Sequence, residues 1–369
     1  MEKIAFVHCW TFPWWALNVF IDLVNEEYQN NSEIEWKVFT LISEENILEI
    51  WDRKLEVIQS LPNRISKIFI YCKNQKVPIL SHIFDYRNLI FFYPILMRIL
   101  SRKIRKFWPQ KVVISSFAVA KNISVGSIYK KLYLHSPIQY IRSHHDEYRM
   151  KIRWRKWLLF RFIVPILRRR DKKFIKFDEC IANSKYTAGL AKEIYGMDCK
   201  IKYPKMDEKY FWANVSNAVM PYFIYVWRLV SFVKECDVII RLFNETWAPL
   251  IMIWSWPDEL YLKSIAKENI MFVGRNPRWM IDIIRNAKWT INLTKESFWM
   301  WTAEALLLWV PVLGYNQWWS VELVDKDSGI LVNDKSIDTL KKALAEFNKI
   351  NRDRKLISEN IRKKLDLYK

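Results

Sequence analysis

Two carboxylates stand close together in the segment ESFWMWTAEALLLWVPVLGYNQWWSVEL, which runs from 296 to 323. Glu296 is expected at the end of a strand and Glu304 inside the helix that follows. In a parallel sheet, a strand end and the next helix start line the crevice where such folds bind their ligands. An isolated pair of glutamates is more often solvated charge, so the role of this pair depends on the surrounding residues.

Cations and a histidine form a second group of candidates. Arg228 and Lys234 lie in YVWRLVSFVKECD, after a strand-like run and near the start of a helix. Fixed positive charge in that position suits a phosphate group. His135 lies in YLHSPIQY, directly after a strand signal in the first half of the chain. It could contact a substrate, but a lone histidine is more often a structural hydrogen-bonding group.

Alternating strands and helices are predicted to position these groups. In the first half, KIAFVHC, EWKVFTLI, RISKIFIYC (64–72) and KVVISSF resemble strands, and helices are expected at about 16–28 and 86–107. The second half repeats the rhythm from YFIYVWRL onward, which predicts two Rossmann-like α/β domains with parallel sheets. The periodicity lapses around Pro204 and resumes at Pro221. We therefore expect an N-terminal domain at 1–203, a linker at 204–220, a second domain at 221–350 and a C-terminal helix at 351–369.

The chain contains 6 glycines and 20 tryptophans. A chain of this length should hold about 7% glycine, which is roughly 26 residues. Several tryptophans stand in turn positions that favour glycine, among them Trp14, Trp15, Trp309, Trp318 and Trp319. We hypothesise that the gene reads UGA as glycine and that these codons are translated here as tryptophan. The alternative is a genuinely tryptophan-rich protein with an aromatic surface.

With glycine at Trp299, Trp301, Trp309, Trp318 and Trp319, the segment reads ESFGMGTAEALLLGVPVLGYNQGGSVEL. This resembles the donor-site signature of family 4 glycosyltransferases. PLIMIWSWPDE and VHCWTFPWWALNVF continue the resemblance when read as PLIMIGSGPDE and VHCGTFPGGALNVF. The resemblance covers nearly the whole chain and is densest from about 222 to 332. It implies the GT-B fold, in which two Rossmann-like domains face each other across a cleft.

The same resemblance implies roles for the candidate residues. Glu296 would face the donor sugar and share catalysis with His135, while Glu304 would hydrogen-bond the nucleotide ribose. Arg228 and Lys234 would bind the diphosphate, although they are six positions apart here and five apart in the family pattern. The other expected donor-binding positions are Trp14, Trp15, Ser255, Pro257 and Phe298.

The implied activity is retaining transfer of a hexose from a nucleotide sugar to a glycan or lipid-linked acceptor, in cell-surface polysaccharide synthesis. The N-terminal domain would be the acceptor side. GDP-mannose is the favoured donor because the HSP segment resembles O-antigen mannosyltransferases, and neither a cofactor nor a metal is implied. Two alternatives stay open: a non-catalytic basic protein that binds membrane or nucleic acid through a decayed GT-B fold, and a sugar-phosphate synthase that uses a phosphorylated acceptor.

The net charge of +20 predicts an anionic partner. The basic and aromatic segment at 149–176 is expected to form either a helix that binds an anionic membrane surface or a solvated helix packed on its own domain. No segment resembles a nucleic-acid module, so no nucleic-acid partner is expected.

The apolar stretches are shorter than the ~20 residues of a membrane span, and the start of the chain does not resemble a secretory signal. We therefore expect a cytoplasmic protein, peripheral at the inner face of the plasma membrane. The five cysteines are far apart and include no Cys-x-x-Cys pair, so all are expected to be reduced.

Overall fold

The structure is a computed structural model. It describes residues 2–11, 15–30, 34–50, 53–74, 92–146, 149, 154–211, 219–226, 234–253, 258–274, 279–294, 300–317, 319–347 and 353–365. The chain divides into two units, Met1–Lys205 and Met206–Lys369. This division falls inside the 204–220 segment that the sequence predicts as a linker, and the finer domain limits stay predictions.

The first unit is built on an eight-stranded sheet. Its strands are β1 (Glu2–His8), β2 (Ile34–Thr40), β3 (Ile47–Ile50), β4 (Arg53–Gln59), β5 (Lys111–Ser116), β6 (Tyr129–Leu134), β7 (Glu179–Ala182) and β8 (Lys200–Ile201). The spatial order is β3-β4-β2-β1-β5-β6-β7-β8. Every neighbouring pair is parallel except the antiparallel pair of β3 and β4.

Five helices of this unit are described: α1 (Trp15–Asn30), α2 (Asn63–Asn74), α3 (Tyr93–Phe107), α4 (Trp154–Lys173) and α5 (Lys185–Tyr195). The side chain of Ser184 caps α5 by accepting a hydrogen bond from the backbone N–H of Thr187 at 3.0 Å. Gly196 ends the helix in the left-handed conformation, with φ 68°. Both are residues that helix ends favour for their local geometry.

One predicted strand is wrong. The run RISKIFIYC at 64–72 lies inside α2. Its apolar, β-branched residues resemble a strand. Among the side chains of this run that the structure describes, the two buried ones, Ser66 and Ile70, are four residues apart, which is the spacing of one helical face. The strands before it are instead the β3 and β4 pair, which the sequence analysis did not anticipate.

The sheet of the first unit is covered on both faces. Successive residues of β1 enter different apolar clusters: Val7 packs in the cluster that contains Leu96 of α3 and Phe160 of α4. Phe6 packs in the cluster that contains Phe20 of α1. Burial on both faces explains why the central strand β1 has an unbroken run of buried residues from Ile4 to His8.

The second unit is a wholly parallel six-stranded sheet with the order β11-β10-β9-β12-β13-β14. The strands are β9 (Met220–Val226), β10 (Leu250–Ile253), β11 (Ile270–Val273), β12 (Ala287–Asn292), β13 (Val312–Tyr315) and β14 (Gly329–Val332). The helices are α6 (Cys236–Thr246), α7 (Glu259–Ile265), α8 (Met280–Asn286), α9 (Met300–Leu307), α10 (Ser320–Leu323), α11 (Ile337–Phe347) and α12 (Arg354–Lys364). The predicted α/β class with two Rossmann-like domains is confirmed.

Three tryptophans adopt a left-handed backbone: Trp108 with φ 56°, Trp247 with φ 56° and Trp309 with φ 63°. Trp108 and Trp247 are the residues that end α3 and α6, and Trp309 follows α9. Residues with a Cβ pay about 1–2 kcal/mol for this conformation, and glycine does not. Among the described non-glycine residues, only Glu235 shares it. These positions therefore agree with the hypothesis that tryptophan stands in place of glycine.

Other tryptophans have the packing of genuine aromatic residues. Trp289 is buried in β12 and stacks on Phe347, with 3.7 Å between the ring centroids. Trp36 in β2 stacks on Tyr28 at 4.9 Å. Trp301 and Trp319, which the sequence analysis reads as glycine, are also buried, and neither has a left-handed backbone. Backbone conformation therefore supports the glycine hypothesis at Trp309 and not at these two positions.

The prediction that every cysteine is reduced is wrong, because Cys180 and Cys199 form a disulfide. The parallel pairing of β7 with β8 aligns Ile181 with Lys200, so the preceding residues come within 4.6 Å between Cα atoms. The two cysteines are 19 positions apart, a separation that carries no sequence signal. No described helix has the length and apolar character that crossing a membrane requires.

Candidate functional site

The strand order of the second unit creates a switch point. β9 is the first strand of this sheet in sequence and lies between β10 on one side and β12 on the other. The connections that leave the carboxyl ends of β9 and β12 therefore run to opposite sides of the sheet, and this divergence opens the crevice in which such folds bind ligands. The register pairs Ile224 of β9 with Thr290 of β12. The segments that carry Lys234 and Glu304 thus follow two adjacent strands.

Lys234 comes after β9 and directly before α6, and its side chain is buried. Its carbonyl oxygen accepts a hydrogen bond from the hydroxyl of Tyr225 at 3.2 Å. The next residue, Glu235, forms an ion pair at 2.6 Å with Lys335, which follows β14. The start of α6 is therefore held by contacts from two parts of the sheet, and the N-terminal end of a helix favours negative charge.

Glu304 lies in the middle of α9 and is half-buried. The helix residues on both sides of it, 301–303 and 305–307, are all buried. Glu304 is the only charged residue of MWTAEALL, the sequence of α9. Its partial exposure leaves the carboxylate accessible to a ligand, while its neighbours in the helix are buried.

A buried polar network connects β12 to α9. The side-chain amide of Asn292, at the end of β12, donates to the hydroxyl of Thr302 at 2.7 Å. Its oxygen accepts hydrogen bonds from the backbone N–H of Thr294 at 3.1 Å and from the hydroxyl of Thr294 at 2.8 Å. These contacts fix both ends of the connection and hold the helix turn that carries Glu304. The sequence analysis missed this network, because Asn292 and Thr302 are ten positions apart and neither belongs to a recognisable motif.

His135 follows β6 in the first unit, and its side chain is completely buried. Its Nε2 lies 2.8 Å from the hydroxyl oxygen of Ser115, which lies 3.1 Å from Nδ1 of His8. Burial lowers the pKa of His135 well below its ordinary value, and the charge of a protonated His8 lowers it further. Burial also lowers the pKa of His8 to about 4. Both imidazoles are therefore neutral near pH 7.

The histidine contacts correspond to the structural hydrogen-bonding role that the sequence left open. The catalytic assignment of His135 stays a prediction, and its partners His8 and Ser115 were not anticipated. Glu296, Arg228, Trp14, Ser255, Pro257 and Phe298 lie outside the described residues. Trp15 is described only as the first residue of α1. Among the described residues, no three histidine, cysteine or acidic side chains meet as a metal site would require.

The two sheets and the switch point correspond to the GT-B fold that the sequence predicted. No protein-family model matches the sequence, and no curated protein is similar enough to count as a match. The fold is similar to that of sucrose-phosphate synthase from Thermosynechococcus elongatus, with a TM-score of 0.69 at 12% identity over 100% of this chain and 94% of the other.

Two further solved structures are similar. WaaG, a glycosyltransferase involved in lipopolysaccharide biosynthesis, has a TM-score of 0.63 at 14% identity over 98% of this chain and 95% of its own. HepE from Anabaena, in complex with UDP and glucose, has a TM-score of 0.59 at 14% identity over 99% of this chain and 100% of its own. Identities this low establish the fold alone.

Proposed function

We propose that the protein is a glycosyltransferase that moves a sugar from a nucleotide-sugar donor to an acceptor hydroxyl. One observation carries this proposal: the switch point between β9 and β12 lies next to the segments that hold Lys234 and Glu304. A cation near a helix start suits a diphosphate, and a carboxylate on the neighbouring helix suits a ribose hydroxyl. HepE, which has a similar fold, binds UDP and glucose, and this supports the same ligand class.

The proposed roles of individual residues come from the resemblance of the sequence to family 4 glycosyltransferases. Glu304 would accept hydrogen bonds from the ribose, Lys234 and Arg228 would bind the diphosphate, and Glu296 would face the sugar. As the bond between the sugar C1 and the phosphate oxygen breaks, fixed cations stabilise the negative charge that develops on the diphosphate. The acceptor oxygen forms the new bond to C1, and its proton passes to the departing phosphate oxygen, so configuration is retained without an enzymic nucleophile.

We further propose membership of family 4, a hexose as the transferred sugar and GDP-mannose as the first donor to test. The acceptor would be a glycan or a lipid-linked glycan of the cell surface. The alternative of a non-catalytic basic protein with a decayed fold is less consistent with similar structures that are glycosyltransferases and bind UDP-glucose.

The test is release of nucleoside diphosphate from a panel that includes GDP-mannose and UDP-glucose. It should be run on the chain as given and on a version with glycine at the tryptophan positions of the 296–323 segment. Glu304→Gln should lower kcat/KM roughly 10- to 100-fold, because a hydrogen bond to a charged group contributes about 1.5–3 kcal/mol. Glu346→Gln, which changes an exposed glutamate of α11, is the matched control. If neither version releases nucleoside diphosphate from any donor, the proposal fails.

The peripheral membrane location rests on α4. Three apolar side chains, Leu158, Phe162 and Ile166, lie four residues apart and are 46%, 73% and 54% exposed. They lie on the side of the helix opposite Val164 and Leu167, which pack in the core. Basic residues surround this exposed stripe, so it has the composition of a helix that lies on an anionic bilayer at the inner face of the plasma membrane.

Sedimentation with vesicles tests the membrane proposal. Phe162→Ser should weaken binding to vesicles that contain phosphatidylglycerol about tenfold or more, since burying a phenylalanine contributes about 1.5–3 kcal/mol. Leu260→Ser removes an exposed leucine from α7 in the other unit and should have no effect. Equal binding by the two variants would contradict a role for α4.

A further inference from the structure

A cationic cavity opens in the first unit, separate from the residues discussed above. Its volume is about 380 Å³, within the ~300–1,000 Å³ range of small-molecule sites. Arg98 and Arg105 of α3 line one side, and Arg170 and Lys173 of α4 line another. No aspartate or glutamate is among the lining residues. The cavity therefore has the charge of a site for an anion.

The acidic residue next to Arg170 does not neutralise this cavity. Asp171 is completely buried, and its carboxylate lies 2.5 Å from Nζ of the equally buried Lys121. The hydroxyl of Tyr195 donates to the same carboxylate at 2.7 Å, and Nε of Arg142 lies 3.5 Å from it. Because its charge is committed to these interior partners, the positive charge of the cavity remains available to a ligand.

The floor of the cavity is built from ordered polar groups. The hydroxyl of Ser101 donates to the carbonyl oxygen of Met97 at 2.6 Å and accepts a hydrogen bond from the backbone N–H of Ser124 at 3.0 Å. This pair ties α3 to the segment that follows β5. Asn122, from the same segment, also lines the cavity, and its side-chain oxygen is buried with no hydrogen-bond partner among the described residues. Ser101 and Asn122 thus add neutral polar residues to a cavity whose charged lining residues are all cations.

We propose that this cavity binds the phosphate group of a hydroxylated phosphate ester, and that this ester is the acceptor. Arginine side chains bind phosphate through paired N–H donors, and the hydroxyl of the ester is the group to which a sugar would be transferred. The segment that carries Asn122 follows the carboxyl end of β5, the edge at which parallel sheets bind ligands. The assignment as acceptor depends on the proposed glycosyl transfer, whereas the phosphate site itself does not.

The chain offers a matched pair of double variants. Arg105→Gln with Arg170→Gln removes two cations that line the cavity. Arg102→Gln with Arg169→Gln removes the same charge from the same two helices, at exposed positions that do not line it. A general loss of electrostatic attraction affects both pairs equally, so a difference between them reports the cavity. The four changes replace partly or fully exposed side chains, and circular dichroism verifies the fold.

Two binding experiments distinguish the source of the phosphate. Calorimetry with glucose 6-phosphate tests a free phosphorylated sugar, and sedimentation with phosphatidylcholine vesicles, with and without phosphatidate, tests a lipid phosphate. In one of these experiments the double variant at Arg105 and Arg170 (the cavity pair) should bind about tenfold more weakly than the double variant at Arg102 and Arg169 (the control pair). The reason is that a loss of this size corresponds to the contribution of one hydrogen bond to a charged group. Added salt should weaken the wild-type binding.

Equal binding by the two pairs in both experiments, or no binding by the wild type in either, overturns the phosphate site. Donor turnover is measured separately. If nucleoside diphosphate is released normally but the cavity pair behaves as the control pair, the inference fails alone. If phosphate binding depends on the cavity but no donor is consumed, the proposed function fails and the phosphate site remains.

Discussion

Replacing Trp108 with glycine is expected to stabilise the first unit. Trp108 ends α3 with φ 56° and ψ 55°, and its backbone N–H bonds to the carbonyl oxygens of Arg105 and Ile104. A residue with a Cβ pays about 1–2 kcal/mol in this conformation. Glycine pays roughly 0.5–1 kcal/mol more chain entropy on folding. The indole is 77% exposed, so little burial is lost, and the net gain should be about 0.5–1 kcal/mol.

The matched control is Trp289→Gly in β12. Its ring is buried against Phe347, so its removal should cost about 3–5 kcal/mol. Urea unfolding followed by far-ultraviolet circular dichroism gives both changes without depending on tryptophan fluorescence. A lower unfolding midpoint for Trp108→Gly would refute the strain argument. Peptide masses of the protein from its own cells should likewise show glycine at position 108 and tryptophan at position 289.

Three further predictions concern the first unit. The free energy of unfolding of the first unit should fall by about 2 kcal/mol between pH ~7 and pH ~5 because of His8 alone. Burial lowers the pKa of His8 to about 4 in the folded protein, whereas in the unfolded chain it is about 6.5, so the unfolded chain binds the proton first as the pH falls. The contribution of neutral His8 to stability is fully present above pH ~6.5 and is lost as the pH falls towards 4. Thermal melts across this range should show the decline in stability with falling pH, and His8→Asn should make that decline smaller. Asp171→Asn should cost about 3–5 kcal/mol in urea unfolding, because it leaves a buried lysine uncompensated, whereas Tyr195→Phe should cost only about 1–2 kcal/mol. Equal losses would contradict the ion-pair argument. Reduction of the Cys180–Cys199 disulfide should lower the urea midpoint of unfolding by an amount equivalent to about 3 kcal/mol. If the midpoint is unchanged after the protein has been reduced with dithiothreitol and both thiols have been alkylated, the disulfide does not stabilise the fold.

Local signals predicted most of the elements because they depend on residues that are neighbours in the chain. The helices expected at about 16–28 and 86–107 are observed as Trp15–Asn30 and Tyr93–Phe107. The failure at 64–72 has the same local origin. An apolar run of that length suits either a buried strand or a half-buried helix, and only the partners that cover Ser66 and Ile70 decide between them.

In the candidate site, too, local sequence indicates some residues, and others depend on contacts between distant parts of the chain. Glu304 could be predicted as a site residue because its motif is continuous in sequence. His8 and Ser115 were missed, because their contacts with His135 join β1, β5 and the end of β6 across 20 or more positions. The cavity lined by Arg98 and Arg170 was missed as well, since a chain with 59 basic residues gives no signal for the few that converge.

The sequence by itself determined that this chain alternates strands with helices in two α/β units and carries a carboxylate motif in the second. It also predicted glycine at Trp309, whereas the left-handed Trp108 and Trp247 were recognised only from the structure. Only the tertiary structure decided that β9 lies beside β12 and that Cys180 forms a disulfide with Cys199. It also decided that Asp171 pairs with buried Lys121 and does not neutralise the cations of the cavity. The physical reason is that periodicity and turn preferences act within a few residues. Strand order, disulfide pairing and charge compensation depend instead on packing between residues far apart in the chain.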